Sequence, residues 1–174
     1  MPRLKLILSL IILYSVYSCS LASEVEYVLV TNEKSDSVSL IDIKTLEVIK
    51  EISVGERPRG LGLAPDNSEI YIAVSGESKI KVIEPTGFQV TRSFYSGDDP
   101  ESFAVHPSGL IFISNEEIAQ ASVIDPSSGE IIRKIEVGIE PEGVSISPDG
   151  STIVVTSESS NMAHFISSSD YKIT

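Results

Sequence analysis

Cysteine and histidine are nearly absent from this sequence of 174 residues, which contains one cysteine, Cys19, and two histidines, His106 and His164. A single cysteine excludes an internal disulfide framework. No cysteine cluster, H-x-x-x-H or G-x-S-x-G motif occurs, so the usual residues of a zinc centre or an activated serine are missing. We therefore expect both histidines to be structural.

Basic residues are also scarce, because 13 lysines and arginines face 25 aspartates and glutamates, for a formal net charge of −12. Nucleic acids and anionic membranes repel such a chain, so neither is an expected partner. A cationic partner is electrostatically permitted.

Long hydrophobic runs are missing as well. One shorter apolar run is present, LILSLIILYSV at residues 6–16. It has eleven residues and is too short to cross a bilayer as a helix. Basic residues precede it and YSCSLAS follows it, which is the layout of a secretory signal peptide over residues 1–22, cleaved after Ala22. We expect a periplasmic or secreted protein with no membrane span after cleavage. Lipoprotein anchoring at Cys19 and an uncleaved membrane anchor are the alternatives.

A repeat organises the rest of the chain. PRGLGLAPDN begins at Pro58, PESFAVHPSG at Pro100 and PEGVSISPDG at Pro141, which are spacings of 42 and 41 residues. This period is typical of a four-stranded β-propeller blade. The sequence predicts a partial propeller over residues 23–174, with repeats at about 26–68, 69–109, 110–150 and 151–174.

Each unit is predicted to form four short antiparallel strands, as in residues 101–105, 110–114, 121–125 and 130–137. The first strand alternates large apolar residues such as Phe103 with small ones such as Gly62 of the preceding unit, which favours the crowded innermost position. The second strands, including residues 27–30 and 153–155, are almost continuously apolar, which predicts burial on both faces. The fold class is therefore all-β.

The strands predicted along the chain number three, four, four and three, and a further one begins at Ile173. We interpret the chain as an N-terminal fragment of about 3.5 blades that forms an open arc. A short form that closes its ring by self-association is the alternative. In an arc, Phe165 and Ile166 should be more exposed than Val123 and Ile124, their counterparts one unit earlier.

The repeat resembles a known family. YVLVTNEKSDSVSLIDIKTLEVIKEISVGERPRGLGLAPDN, from Tyr27, resembles the YVTN-repeat β-propellers, and the resemblance extends over residues 26–174. DPESFAVHPSG, VGIEPEGVSISPDG and TSESSNMAHF are more narrowly similar to exported propellers associated with pyrroloquinoline-quinone (PQQ)-dependent catabolism. The resemblance implies a larger closed ring in the complete protein. It supplies no catalytic residue, and the quinone link is an association, so no cofactor is expected.

Recurring acids end the third strand of three units, at Asp42, Glu84 and Asp125, whereas the last unit has Ser167. Paired carboxylates can carry out acid–base chemistry. These acids lie in separate blades, however, so we expect them to accept hydrogen bonds in the turns that follow.

A second group of acids is the candidate binding site. Loops 2–3 and 4–1 of an up-and-down blade emerge at the same end, and in this chain those loops are rich in carboxylates. The candidate residues, called the acidic rim below, are Asp98, Asp99, Glu101, Glu116, Glu117, Glu140 and Glu142. The rim is either a solvated surface or a docking face, and a basic periplasmic protein such as a c-type cytochrome, or a divalent cation, would bind there.

The leading functional hypothesis is an exported, non-catalytic propeller that acts as a binding or accessory scaffold, with a link to quinoprotein alcohol catabolism. One alternative is an enzyme, either a lactonase or a quinoprotein-like dehydrogenase subunit, with its active site outside this chain. A lactonase needs His, Glu or Arg side chains that converge on the central channel, and the sequence reveals no such group. A cell-surface adhesion repeat is the third hypothesis.

Overall fold

The computed structural model describes residues 26–174, which form fourteen β-strands and no α-helix. The predicted signal peptide, its cleavage site after Ala22 and the lipid-anchoring alternative at Cys19 lie outside the described residues. Within 26–174, no helix has the length and apolar character needed to cross a membrane.

The strands follow one another with short connections. Their bounds are β1 (Tyr27–Asn32), β2 (Ser37–Asp42), β3 (Val48–Ser53), β4 (Pro58–Leu63), β5 (Ile70–Val74), β6 (Lys79–Glu84), β7 (Gln89–Tyr95), β8 (Pro100–Val105), β9 (Ile111–Asn115), β10 (Gln120–Asp125), β11 (Glu130–Glu136), β12 (Pro141–Ile146), β13 (Thr152–Ser157) and β14 (Met162–Ser167). Two single turns of 3₁₀ helix, Glu33–Ser35 and Ser75–Glu77, connect β1 to β2 and β5 to β6.

The strands form four sheets in which every neighbouring pair is antiparallel and consecutive in the chain. Sheet 1 has the order β1-β2-β3, sheet 2 β4-β5-β6-β7, sheet 3 β8-β9-β10-β11 and sheet 4 β12-β13-β14. Ile173 makes a single antiparallel bridge to Ile166, at the place of a fourth strand in sheet 4. The all-β propeller architecture and the predicted strand count of three, four, four and three are therefore confirmed.

The innermost strands β4, β8 and β12 lie side by side. Phe103 of β8 covers the small face of β4, where a Cβ added to Gly62 would lie 2.7 Å from Phe103 Cε2, and one added to Gly60 would lie 2.9 Å from Cδ1. The alternation of large and small residues thus arises because one blade's large side chain occupies the space that its neighbour's glycines leave open.

Three apolar layers lie between neighbouring sheets and hold them together. Sheets 2 and 3 each contribute one face to the layer on either side. Ile70 and Ile72 of β5 pack towards sheet 1, whereas Tyr71 and Ala73 of the same strand pack towards sheet 3. The third layer joins Phe112 and its neighbours in sheet 3 to sheet 4. Burial of this apolar surface is the main stabilising term, since no disulfide is present among the described residues.

The second strands are buried on both faces only where a sheet has two neighbours. Every residue of β5 and β9 is buried, as predicted. The prediction was wrong for residues 27–30 of β1, where Val28 and Val30 remain 42% and 41% exposed. It was also wrong for β13, in which Val154 is partly exposed between the buried Ile153 and Val155. Within residues 26–174 no sheet covers the outer face of sheet 1 or of sheet 4, so these four sheets form an arc.

The predicted exposure of the last unit was half right. Phe165 is 50% exposed, whereas Val123, its counterpart, is 0% exposed. Ile166 is 0% exposed, as Ile124 is, because its side chain points back to sheet 3 and packs in the third apolar layer. Successive residues of a strand point to opposite faces, so the missing neighbour exposes only one of the two.

The acids at the ends of the third strands make the predicted turn contacts. A carboxylate oxygen of Asp42 accepts hydrogen bonds from the N–H groups of Lys44 and Thr45 at 2.7 and 3.0 Å, and these bonds lower its pKa. Glu84 and Asp125 accept equivalent bonds from the residues two positions further on. In the last unit the hydroxyl of Ser167 replaces the carboxylate and accepts from the N–H of Ser169 at 3.3 Å.

Each histidine ring forms a hydrogen bond with a main-chain atom of a distant segment. His106 Nε2 lies 2.9 Å from the carbonyl oxygen of Gly150 and links a turn of sheet 3 to the matching turn of sheet 4. His164 Nε2 accepts a hydrogen bond from the N–H of Gly138 at 2.8 Å. These contacts agree with the structural role that we predicted for both residues.

Candidate functional site

The candidate site is built from one tripeptide position that recurs in three units. Residues 57–59, 99–101 and 140–142 each consist of a charged residue, a proline and a second charged residue at the start of an innermost strand. The residue before each proline has positive φ, 57° at Arg57, 47° at Asp99 and 55° at Glu140. The shared backbone conformation brings the six charged side chains to the same edge of the sheets, where the innermost strands begin.

Glu101 lies at the centre of this group and is only 3% exposed. The Nη2 of Arg59 forms an ion pair with its Oε2, and the Nη2 of Arg57 lies 3.7 Å from its Oε1. Burial raises the pKa of Glu101 to about 7, because the loss of hydration together with the carboxylates of Glu142 and Glu116 outweighs the attraction of Arg59.

Two arginines of sheet 2 form ion pairs with acids of sheets 1 and 3. Arg59 Nη1 donates to Glu33 Oε1 at 3.0 Å, and Arg57 lies 3.5 Å from the same carboxylate and 3.4 Å from Asp99. Their proximity lowers the pKa of Glu33. The hydroxyl of Thr31 on β1 also donates to the carbonyl oxygen of Arg59 at 2.8 Å, which holds β1 against β4.

A pocket of about 410 Å³ opens beside these side chains. Acidic and basic groups share its wall with the inner-strand backbone. The lining residues are Thr31, Glu33, Pro58, Arg59, Gly60, Glu101, Ser102 and Glu142. Such a wall favours a polar or charged ligand, since it offers donors and acceptors with few apolar surfaces.

Comparisons with known proteins bear on the fold. No protein-family model matches this sequence, and no curated protein does. Among solved structures, the chain is similar to hydrazine synthase from Kuenenia stuttgartiensis, with a TM-score of 0.78 and 22% identity over 85% of this chain and 44% of that one.

Two further structures are similar. A putative 6-phosphogluconolactonase from Bacteroides uniformis has a TM-score of 0.72 and 14% identity over 86% of this chain and 50% of that one. A functionally unknown protein from Desulfotomaculum acetoxidans has a TM-score of 0.66 and 17% identity over 79% of this chain and 47% of that one. The chain spans about half the length of these structures. At such identities the likeness establishes the propeller-like fold alone.

The structure brings part of the acidic rim together. A carboxylate oxygen of each of Asp99, Glu101 and Glu116 lies within 4.8 Å of the other two. Glu142 joins them from the next unit, with a carboxylate oxygen 4.0 Å from Arg59. Glu101 is buried and ion-paired, because it faces the neighbouring inner strand, so it does not lie on the exposed surface of the rim.

The other three rim residues lie apart from that group. Asp98 accepts a hydrogen bond from the hydroxyl of Tyr95 at 2.6 Å, and Glu140 accepts one from the hydroxyl of Ser159. Glu117 is exposed to solvent. These three residues form the outer part of the rim on sheets 3 and 4.

Sequence reasoning did not foresee the ion pairs that Arg57 and Arg59 form with acids of the neighbouring blades, at Glu33, Asp99 and Glu101. A signal was present in the repeat itself. The positions of Asp99 and Glu101, or of Glu140 and Glu142, carry arginine in the first copy. A reversal of charge at equivalent positions of neighbouring blades predicts ion pairs between them, because the repeat places those positions side by side.

Negative charge remains crowded on sheets 3 and 4. The pKa of Glu142 is raised first by burial and then by Glu116, and Glu158 and Glu140 add to this effect while Arg59 opposes it. Among residues 26–174, no lysine or arginine nitrogen lies within 4.0 Å of Asp98, Glu116, Glu117 or Glu140. The arginines thus compensate Glu33 of sheet 1 and Asp99 and Glu101 of sheet 3, whereas the rest of the rim stays negative.

Proposed function

We propose that this chain belongs to an exported, non-catalytic β-propeller scaffold that binds a basic protein at the acidic rim. The observation that carries the proposal is the uneven neutralisation of the rim. Arg57 and Arg59 face Glu33, Asp99 and Glu101, whereas the outer acids of sheets 3 and 4 have no basic neighbour within ion-pair distance in residues 26–174. A positively charged partner would relieve this repulsion.

The non-catalytic part of the proposal rests on the structural roles of the obvious reactive groups. His106 and His164 bind main-chain atoms, and Asp42, Glu84 and Asp125 accept hydrogen bonds in turns. These groups are therefore occupied in holding the blades.

The resemblance of the repeat to exported YVTN-type propellers associated with PQQ-dependent catabolism suggests the partner. Electron transfer in a periplasm uses small soluble proteins, and a basic c-type cytochrome matches the charge of the rim. A divalent cation is the second ligand class that clustered carboxylates would bind. We expect no nucleic-acid partner, because the net charge of the chain is −12.

Charge neutralisation of the outer rim tests the docking proposal. Replacing Asp98, Glu117 and Glu140 with Asn or Gln should slow association with a basic c-type cytochrome by about tenfold at low ionic strength, because these charges steer the encounter. The difference should shrink towards 0.15 M salt, as screening over about 8 Å removes long-range attraction. Stopped-flow association rates of the full-length protein over a salt series provide the measurement.

The matched control neutralises three acids at the opposite end of the sheets. Glu47 and Asp66 lie in the connections between strands, and Glu130 is the first residue of β11. The two triple variants have the same net charge. Equal slowing by both would contradict the docking proposal, because only total charge would then matter. Both variants should retain wild-type stability to within about 1 kcal/mol per residue, since exposed charges contribute little.

An enzyme is the second candidate, and Glu101 is the observation that favours it. A buried carboxyl group with a pKa of about 7 beside Arg59, on a pocket wall, is suited to general acid–base chemistry. Hydrolysis of sugar lactones by the full-length protein and by its Glu101→Gln variant tests this candidate. Turnover that disappears in the variant would favour an enzyme over a scaffold.

A further inference from the structure

Ile139 is an exposed apolar residue at a position that is acidic in the other repeats. The four residues that end with the first proline of β4, β8 and β12 read GERP, GDDP and GIEP. Ile139 therefore stands where the other two copies have Glu56 and Asp98, and its side chain is 63% exposed. Because those copies form the same connection with a carboxylate, the fold itself does not require an apolar side chain here.

Met162, the first residue of β14, is a second apolar side chain of this kind. The first residues of β2, β6 and β10 are Ser37, Lys79 and Gln120, so the position is polar in the other three sheets. Met162 is 56% exposed. It lies on the same face of β14 as the buried Ile166, which packs towards sheet 3. The open outer face of sheet 4 therefore does not account for the exposure of Met162.

The two apolar residues belong to one stretch of surface where sheet 3 meets sheet 4. The N–H of Ile139 donates a hydrogen bond to the hydroxyl of Ser160 at 2.6 Å, in the loop that leads into Met162. Next to this bond, the N–H of Glu158 donates to the carbonyl oxygen of Glu140 at 2.8 Å. Both residues thus flank the same loop, at the end of the sheets that carries the acidic rim.

Acidic residues border this surface on both sides. Glu140 and Glu158 lie on the side of sheet 4, and Glu117 lies on the side of sheet 3, in the connection that accepts the N–H of Val137 at the carbonyl oxygen of Ala119 at 3.1 Å. Among residues 26–174, no lysine or arginine nitrogen lies within 4.0 Å of these three carboxylates. An apolar surface bordered by charge is the arrangement found at protein–protein interfaces.

We propose that Ile139 and Met162 form the apolar centre of the surface on which a basic protein docks, with Glu117, Glu140 and Glu158 as part of its charged border. The complementary partner is a soluble protein that presents an apolar patch among lysine and arginine side chains. The inference rests on the proposed function, because it names the contact residues and the partner chemistry of the same docking surface. In such an interface the charges steer the encounter, whereas buried apolar contacts hold the complex.

Replacement of the apolar pair tests this division of roles. In the full-length protein, Ile139→Ser combined with Met162→Gln should raise the rate of dissociation from a basic c-type cytochrome by about tenfold, because the loss of interface contacts acts mainly on dissociation. The association rate should change less than about twofold. The effect should be equal at low ionic strength and at 0.15 M salt, since no charge is altered. Stopped-flow mixing and displacement experiments measure the two rates.

The matched control is Ile43→Gln combined with Leu46→Ser, in the connection between β2 and β3 at the opposite end of the sheets. These side chains are 44% and 76% exposed, so the control also removes two exposed apolar groups. It should leave both rates unchanged. Thermal unfolding should be near wild type in both variants, because each replaced side chain is exposed.

The outcomes separate this inference from the proposed function. If rim neutralisation slows association but the Ile139 and Met162 variant dissociates at the wild-type rate, the docking proposal stands and the apolar centre is wrong. If the wild type does not associate with the cytochrome, both are wrong. Equal acceleration by the control would also overturn the inference. So would a wild-type dimer, detected by sedimentation, that the Ile139 and Met162 variant abolishes, because the pair would then join two copies of this chain.

Discussion

Replacing Phe103 with alanine is expected to lower the free energy of unfolding by about 3–5 kcal/mol, the usual cost of removing a buried phenylalanine. Phe103 is 7% exposed and lies over Gly60 and Gly62 of the neighbouring inner strand. The two glycines cannot fill the space that the ring leaves, so the cavity should persist between sheets 2 and 3. Urea unfolding followed by circular dichroism measures the loss.

Phe165→Ala is the matched control. It removes the same phenyl ring, but from a side chain that is 50% exposed. Its effect should be well below that of Phe103→Ala.

A second control uses Gly62→Ala, whose added methyl group would lie 2.7 Å from the ring of Phe103. Gly62→Ala should destabilise the wild type more than the Phe103→Ala variant, since the clash requires the ring. Independent effects of the two changes would contradict the packing described for β4 and β8.

Stability between pH 4.5 and 7 should depend strongly on Glu101. Its pKa rises from the ordinary value of 4.5 to about 7 on folding, first because the carboxyl group is buried. In this pH window the folded state holds a proton that the unfolded state has released, so raising the pH favours unfolding. A shift of this size corresponds to a loss of about 3 kcal/mol across the window, at about 1.4 kcal/mol per pKa unit.

The Glu101→Gln variant should lose most of this pH dependence, because glutamine has no proton to release. Denaturant unfolding at pH 5 and pH 7.5, without divalent cations, compares the two proteins. A small decrease with pH should remain, since the pKa of Glu142 is also raised. Acids with lowered pKa values, such as Asp149 at about 2, affect stability only as the pH falls below their ordinary value of 3.8. An unchanged slope in the variant would show that Glu101 does not titrate in this window.

The repeat carried most of the information about the fold. Prolines at 58, 100 and 141 give the period, and the alternation of large and small residues identifies the innermost strand. Turn acids such as Asp42 follow from local hydrogen bonding. These features could be predicted because each depends on residues that are close in the chain or repeat at a fixed interval.

Burial at the two ends of the arc could not be predicted from strand patterns. The strand β1 has the same apolar character as β5, yet Val28 and Val30 are exposed because no sheet covers their face in the described residues. Ile166 is buried and Phe165 is not, although both are apolar neighbours in one strand. Which face of a strand meets another sheet depends on the position of the blade in the arc.

The sequence by itself determined the repeat, the all-β blades and the excess of acid at one end. Only the tertiary structure decided how those acids are compensated. It places Arg57 and Arg59 of one blade against Glu33, Asp99 and Glu101 of the blades on either side, and it buries Glu101 with an unsatisfied oxygen. The physical reason is that hydration and ion pairing depend on distances across blades, between residues that lie 24 to 44 positions apart in the chain.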